Sequence, residues 1–373
     1  MSKEYTSLGL MSGTSGDGID ASIIRSDGIS KYEVLFNKYY KYQDNIYETI
    51  HSIKEKINNT KDLKNFTKDL KNLERKITMY HVEVVSEILK KNKLDIVGFH
   101  GQTIYHNSRE KISIQLGDGK LLSQLIKKDI IFNFRKNDIK NGGEGAPLTP
   151  IFHQLIATQK NIKMPVCILN IGGISNITII KKPIGSDEIF SKDIGPGNCL
   201  IDTWIRKNSG KKYDKDGILA ARGEVNEIIL EQAQELYLNR IDKEKLSYDV
   251  NDFDISFARG LSLEDGAATI TEFTSNILID SIINFISTHN SKIKEIFICG
   301  GGRKNKFLIN KINEKIGNKI NLRIVDDYKL SGDFIESQAF AFIAIRRLLN
   351  LPVSYPNTTG CSRPNAGGDL IEN

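Results

Sequence analysis

LGLMSGTSGDGID, residues 8–20, joins an apolar run to a turn of small residues and to the start of a second apolar run. The run from Ser7 to Met11 predicts a buried strand, and IDASII from Ile19 to Ile24 predicts a second one. The order is therefore strand, small-residue turn, strand. A P-loop would need a lysine after the last glycine and a helix next, so this stretch is not a P-loop.

The turn between these strands suits an anion. Glycines at positions 13, 16 and 18 allow positive φ or a close approach of the backbone to a ligand. Thr14 and Ser15 add hydroxyl donors. Successive free N–H groups in such a turn can form a concave anion site. An ordinary tight hairpin would use the same residues, and the turn alone does not decide between the two.

The composition is that of a soluble globular protein long enough for two domains. The chain has 373 residues, of which 39% are hydrophobic and 26% charged, with a net charge of +6. It lacks a signal-peptide pattern and an apolar run of about 20 residues, so we expect a cytoplasmic protein without a membrane partner. The lysines between Lys54 and Lys93 alternate with acidic residues, which indicates a solvated helix face rather than a nucleic-acid site.

The second half of the sequence repeats the plan of the first. A strand from Pro165 to Asn170 leads into Gly172 and Gly173, and a second strand follows at Ile177 to Ile180. A third strand near Glu188 to Ser191 precedes DIGPGN, and a later one, Glu295 to Cys299, precedes three glycines. We therefore predict an α/β protein of two duplicated lobes with a central cleft for nucleotide and substrate.

The predicted domains are residues 1–140, with a helical insertion at about 44–92, and residues 141–373. The stretch 133–150 is dense in Gly, Pro and Asn, and we expect a loop and interdomain hinge there. A solvent-exposed linker is the alternative.

Two opposed glycine-rich turns could hold a polyphosphate, because phosphoryl transfer needs positioning and charge neutralisation more than covalent chemistry. The predicted cofactor is ATP with Mg²⁺, and Asp17 or Asp20 could reach the metal. The predicted nucleotide-binding residues are Gly13, Thr14, Ser15, Gly16, Asp17, Gly18, Ile19, Asp20, Gly172, Gly173, Gly300, Gly301 and Gly302.

Asp193 is the predicted general base, because it ends a predicted strand before Gly-Pro-Gly and would be held stiffly. Its alternative role is an Asx turn or the N-cap of a helix from Cys199. His100 follows a predicted strand from Asp95 to Phe99, and Arg135 follows another. With Glu336 these are the candidate sugar contacts, although a lone His is often structural and Glu336 could cap its helix.

The motifs MSGTSGDGID, GFHGQTIYH, QLGDG, NFRKNDIKNGGEGAPLTPIFH, LNIGGISNIT, DIGPGN and ICGGGRKN stand in this order from residue 8 to about residue 360. Together they resemble the anhydro-N-acetylmuramic acid kinase family. The resemblance implies the actin-like, ribonuclease H-like lobes of the sugar kinase, Hsp70 and actin superfamily. It also implies that ATP phosphorylates O6 of 1,6-anhydro-N-acetylmuramic acid while water opens the anhydro bridge.

By the same resemblance, residues 13–20 match the ATP-binding loop and Asp193 matches the aspartate that activates water. Arg135 matches an arginine expected near the sugar or the phosphate. The sequence departs from the family pattern at Gly16, where Leu is usual, at Ile194, where Thr is usual, and in the tail from Thr358.

Two other functions remain open at this point. One is a kinase for another sugar or anhydro-sugar, and the other is an actin- or Hsp70-like ATPase that works by binding a partner. The sequence also allows a homodimer.

Overall fold

The computed structural model describes residues 3–185, 187–240, 242 and 244–373. The strands are β1 Tyr5–Ser12, β2 Gly18–Ser26, β3 Tyr32–Lys41, β4 Ile96–Asn107, β5 Ile112–Leu116, β6 Ile130–Phe132, β7 Val166–Ile171, β8 Ile174–Ile180, β9 Ile189–Pro196, β10 Glu295–Cys299, β11 Asn321–Ile324 and β12 Asp369–Ile371. The helices are α1 Asp44–Lys54, α2 Thr60–Asn65, α3 Thr67–Leu89, α4 Gly119–Ile126, α5 Lys136–Lys140, α6 Pro150–Gln159, α7 Cys199–Asn208, α8 Glu227–Arg240, α9 Leu263–Thr288, α10 Lys306–Ile316, α11 Ile335–Leu348 and α12 Pro356–Thr359.

The chain forms two compact units. Unit 1 comprises residues 1–162, 182–190 and 334–373, and unit 2 comprises 163–181 and 191–333. These units differ from the predicted domains 1–140 and 141–373. The difference arises because α11 packs against β1, β2 and β4 of the first sheet. Helix α6 packs against α11 and β3, since the ring centroid of Phe152 lies 5.7 Å from that of Phe342 and 5.0 Å from that of Tyr32.

The two sheets share one strand order. In unit 1 the order is β12-β6-β4-β1-β2-β3, with β5 paired to β4. Here β1 and β2 are antiparallel, β2 and β3 are antiparallel, and β1 runs parallel to β4. In unit 2 the order is β11-β10-β7-β8-β9, with β7 antiparallel to β8 and parallel to β10. The predicted α/β fold with a duplicated plan is confirmed.

Helix α11 lies unusually close to the sheet of unit 1. Gly9 of β1 stands beside Gly98 of β4 in the parallel register. A Cβ atom on Gly9 would lie 1.9 Å from the carbonyl oxygen of Ser337, and one on Gly98 would lie 2.5 Å from that of Phe340. Because real Cβ atoms do not approach that closely, the two glycines allow the helix to pack directly on the strands.

The insertion at about 44–92 is helical, as predicted, and comprises α1, α2 and α3. Leu73 and Ile77 of α3 are buried in the core of unit 1, and Leu63, Phe66 and Leu70 pack against it. In the part of the chain that the structure describes, no helix combines the length and apolar character needed to span a membrane.

Three buried histidines in unit 1 have pKa values below the ordinary range. Burial lowers the pKa of His81 to about 4 and that of His153 to about 3. Burial, and then the positive charge of Arg135, lower the pKa of His100 to about 3. All three are therefore neutral in the folded protein at pH values where they are already protonated in the unfolded chain.

We expect the free energy of unfolding to fall as the pH drops below about 6.5, the ordinary histidine pKa. The unfolded chain then binds protons that the folded protein does not, so each histidine contributes a slope of up to about 1.4 kcal/mol per pH unit. Urea unfolding at pH 7.0, 6.0 and 5.0 measures the slope. His81→Gln should reduce the slope by the contribution of one histidine. An equal slope in the wild type and in His81→Gln would contradict the prediction.

Candidate functional site

The turn after β1 is held by side chains from neighbouring parts of unit 1. The carbonyl oxygen of Gly13 accepts a hydrogen bond from Nε2 of Gln102 on β4 at 2.9 Å. The carbonyl oxygen of Asp17 accepts one from the hydroxyl group of Tyr39 on β3, also at 2.9 Å. Gln102 is fully buried, so its amide has a fixed place beneath the turn.

Helix α1 holds the middle of the same turn. The Nζ atom of Lys54 donates to the carbonyl oxygen of Thr14 at 3.0 Å. The Nε2 atom of His51 lies 2.9 Å from the carbonyl oxygen of Ser15. Thus the carbonyl groups of the turn are occupied by protein donors, which were not apparent in the sequence.

Two N–H groups of the turn, those of Thr14 and Ser15, are available to a ligand. Gly16 donates its N–H to the carbonyl oxygen of Gly13 at 3.1 Å. Among the described residues, none accepts a hydrogen bond from the N–H of Thr14 or Ser15. Adjacent free N–H groups on a tight turn fit an anion such as a phosphate.

The glycine at position 16 has a structural reason. Its φ is +61°, and a Cβ atom there would lie 2.9 Å from Cγ2 of Ile50 on α1. A side chain at this position would be strained and would collide with the helix. Ile50 therefore fills the space that a larger residue would need.

The remaining predicted residues of this loop differ in access. Ser15 donates its hydroxyl to Oδ1 of Asp17 at 2.5 Å. Ile19 lies in β2 with its side chain fully buried, so only its backbone could reach a ligand. Asp20 is half-buried in β2, opposite Met11. Over the described ranges there is no group of three or more His, Cys, Asp or Glu residues that could hold a metal ion.

In unit 2, the second glycine-rich turn is bonded to the DIGPGN segment. The carbonyl oxygen of Gly172 accepts the N–H of Asn198, and that of Gly173 accepts the N–H of Gly197, both at 2.8 Å. A Cβ atom on Gly197 would lie 2.2 Å from the carbonyl oxygen of Gly172. The structure thus brings together two motifs that are separate in the sequence, and it turns these carbonyl groups toward the start of α7.

The three glycines after β10 are not equivalent. A Cβ atom on Gly300 would lie 2.4 Å from Oδ1 of Asn170, and one on Gly302 would lie 2.2 Å from Cγ2 of Ile171. Gly301 alone of the three is exposed. Gly301 and Gly302 begin a single 3-10 turn, Gly301–Lys304, and the α-helix α10 begins only at Lys306.

Arg303 holds this turn in place, a role that was not predicted from the sequence. It is buried and donates to the carbonyl oxygen of Gly300 at 2.9 Å. It also pairs with Asp326 at 2.6 Å and with Asp333 at 2.7 Å. The hydrogen bond from Arg303 holds the pKa of Asp326 below its usual value. The shape of the turn therefore depends on a fully paired arginine.

Asp193 lies within β9 and not at its end, which corrects the predicted strand boundary. Its side chain is 6% exposed, and Oδ2 accepts a hydrogen bond from the N–H of Tyr248 at 2.8 Å. Its own N–H donates to the carbonyl oxygen of Leu246 at 2.8 Å. The N-cap of α7 is Asn198, so the alternative role of Asp193 as that cap is wrong.

His100 and Arg135, both candidate sugar contacts, are in direct contact in unit 1. His100 lies inside β4, which continues to Asn107, so the predicted end of this strand near Phe99 is wrong. The ring Nδ1–H donates to the carbonyl oxygen of Gly101 at 2.8 Å. Nε2 is then the acceptor for Arg135, 3.1 Å from Nη2. A neutral histidine therefore orients the arginine.

The stretch 133–150 folds around a buried carboxylate and is not an exposed linker. Asp138 is fully buried and accepts hydrogen bonds from Gly145 N–H at 2.8 Å and from the Thr359 hydroxyl at 2.6 Å. Arg135 donates to the carbonyl oxygen of Gly145 at 2.8 Å. The stretch lies wholly within unit 1. Its contact with Thr359 gives the tail a structural role.

Glu336, the last candidate, lies in the first turn of α11 and is half-buried in unit 1. The N-cap position of this helix is Phe334, so Glu336 does not occupy it.

Two α/β units of one strand order, each with a glycine-rich turn between its first two strands, form the duplicated architecture that the sequence predicts. The family model described as anhydro-N-acetylmuramic acid kinase matches residues 5–372. The chain belongs to the anhydro-N-acetylmuramic acid kinase family, a family of phosphotransferases.

Known relatives match along the whole chain. A Pelagibacter ubique (strain HTCC1062) protein named anhydro-N-acetylmuramic acid kinase is 51% identical, with 100% of both chains covered. A Zymomonas mobilis protein of the same name is 34% identical, covering 97% of this chain and 98% of the relative. Among solved structures, the activator of the 2-hydroxyisocaproyl-CoA dehydratase from Clostridium difficile has a TM-score of 0.42 at 9% identity, covering 91% of this chain and 94% of that one.

Proposed function

We propose that the protein is an ATP-dependent kinase for 1,6-anhydro-N-acetylmuramic acid. It phosphorylates O6 while water opens the anhydro bridge, and it releases N-acetylmuramic acid 6-phosphate and ADP in the cytoplasm, as a step in recycling cell-wall sugar. The observation that carries this proposal is the family match over residues 5–372.

The phosphate groups of ATP are proposed to bind at the turn after β1. The free N–H groups of Thr14 and Ser15 are donors suited to phosphate oxygens. Gly301 leaves an exposed stretch of backbone that a nucleotide could approach. Mg²⁺ commonly binds through substrate phosphates and one or two carboxylates, and Asp17 or Asp20 would supply these.

Asp193 is proposed to accept the proton of the attacking water. The oxygen of water bonds to C1 as the C1–O6 bond breaks, and O6 takes the γ-phosphoryl group as its bond to ADP breaks. Because O6 carries no proton in the anhydro sugar, only the water needs a base. The N–H of Tyr248 fixes the carboxylate in one orientation, which is what general-base catalysis requires.

Arg135 is proposed to contact the sugar or the transferred phosphate, with His100 setting its orientation and Glu336 as a further sugar contact. His100 is suited to this task because its neutral Nε2 accepts from the guanidinium group. A positive charge beside the reacting groups would stabilise the anionic substrate and the charge on the phosphoryl group.

The test is incubation with Mg-ATP and 1,6-anhydro-N-acetylmuramic acid in ¹⁸O-water, followed by mass analysis of the product. We expect one added phosphate and one labelled oxygen, and neither without ATP or after removal of Mg²⁺ by EDTA. Phosphate without label would indicate an ordinary sugar kinase. ATP hydrolysis without a sugar product would favour another sugar or a partner-binding ATPase. Sedimentation of the protein with and without ATP separates a homodimer from a filament.

A further inference from the structure

We propose that Lys54 is the cation of the phosphate-binding turn, supplied by α1 rather than by the turn itself. The inference rests on the proposed function, because it assigns a role within the proposed ATP site. It concerns a residue outside the glycine-rich motif, 40 positions from the carbonyl group that it contacts.

The geometry begins with α1. Ile50 and Ile53 are buried in the core of unit 1, and they fix the helix beside the turn. Lys54 and His51 are three residues apart and therefore lie on one face of the helix. From that face Lys54 reaches the carbonyl oxygen of Thr14 at 3.0 Å, and His51 lies 2.9 Å from that of Ser15.

This contact sets the direction of a ligand donor. In a trans peptide unit the C=O and the following N–H point in opposite directions. When Lys54 holds the carbonyl oxygen of Thr14, the N–H of Ser15 must point away from α1. Gln102 acts in the same way on the carbonyl oxygen of Gly13, and so directs the N–H of Thr14. The two N–H groups that the protein leaves free are thus oriented by these side chains.

Lys54 also brings a charge to the turn. One of the donors of its ammonium group bonds to the carbonyl oxygen of Thr14. The side chain is half-buried, so solvent and salt screen its charge less than that of an exposed lysine. A P-loop has a lysine in its own sequence for the phosphates, and this turn has none. In this protein, Lys54 brings a positive charge to the turn from a separate helix, on the carbonyl side of the turn.

The experiment compares the binding of ATP, ADP and adenosine to four full-length proteins by calorimetry: the wild type, Lys54→Met, Lys54→Arg and Lys56→Met. Lys56 lies two residues beyond Lys54, is exposed and serves as the matched control. We expect Lys54→Met to weaken ATP binding by about tenfold to a hundredfold, the range for a charge-assisted hydrogen bond. Adenosine binding should not change, and Lys54→Arg should recover most of the ATP affinity.

The salt dependence of ATP binding is a second readout. Replacing a lysine with a purely structural role would leave it unchanged. Raising the salt concentration should weaken ATP binding more in the wild type than in Lys54→Met, because the variant has lost the screened charge. The Lys54→Arg and Lys56→Met proteins should follow the wild type.

Two results would overturn the inference while leaving the proposed function intact. One is unchanged ATP affinity in Lys54→Met, and the other is an equal loss for ATP and adenosine. If Lys54→Met does not fold, the Lys54→Arg protein decides. A folded Lys54→Arg protein that binds ATP at least tenfold more weakly than the wild type would overturn the inference as well. A wild-type protein that binds no ATP would instead overturn the proposed function itself.

Discussion

Asp193→Asn is expected to lower kcat for the coupled phosphorylation and ring opening by about a hundredfold to ten-thousandfold, the usual contribution of a general base. Asparagine has nearly the shape of aspartate, and its carbonyl oxygen can still accept the Tyr248 N–H that now bonds to Oδ2. It cannot take a proton from water. The local fold should therefore persist while the attack on C1 slows, and the KM for ATP should change little.

The measurement is initial-rate kinetics with the anhydro sugar, together with ATP binding by calorimetry. Asp280→Asn is the matched control, because it makes the same chemical change at an exposed position of α9 in the same unit. A kcat within about threefold of the wild type in Asp193→Asn would remove Asp193 as the base. A large loss of ATP affinity in that variant would show that the carboxylate acts on nucleotide binding instead.

Gly9→Ala is expected to destabilise the protein by about 3 kcal/mol or more, at the upper end of the usual range for overpacking a core. The added Cβ atom would lie 1.9 Å from the carbonyl oxygen of Ser337 and 2.5 Å from the backbone N of Ala341. Both contacts are with the backbone of α11, which cannot change rotamer to make room. The helix must therefore move away from β1 and β4 and lose its packing.

Urea unfolding followed by circular dichroism measures this loss. Gly210→Ala is the control, since among the described residues no heavy atom beyond its two chain neighbours lies within 4 Å of a Cβ built there. It should change the free energy of unfolding by less than about 0.5 kcal/mol. A Gly9→Ala protein as stable as this control would mean that α11 does not pack against β1 as the structure has it.

The chemistry of the site was only partly predictable. The turn at residues 13–18 was found because its small residues are contiguous and interrupt an apolar pattern. Arg135 and His100 were named separately, but their contact at 3.1 Å was not predicted. The contacts of the buried Asp138 carboxylate with Gly145 and Thr359 of its own unit were not predicted either. Residues distant in sequence cannot be paired from local pattern alone.

The sequence by itself determined the α/β class, the duplicated order of strands, the glycine-rich turns and the family. These features follow from periodicity, from the backbone freedom of glycine and from motifs a few residues long, all of which are local. Only the tertiary structure decided what holds the site in place. Lys54 reaches Thr14 across 40 positions, Tyr248 reaches Asp193 across 55 and Gln102 reaches Gly13 across 89. Such contacts depend on how helices and strands pack, and packing brings together side chains whose spacing in the chain has no period.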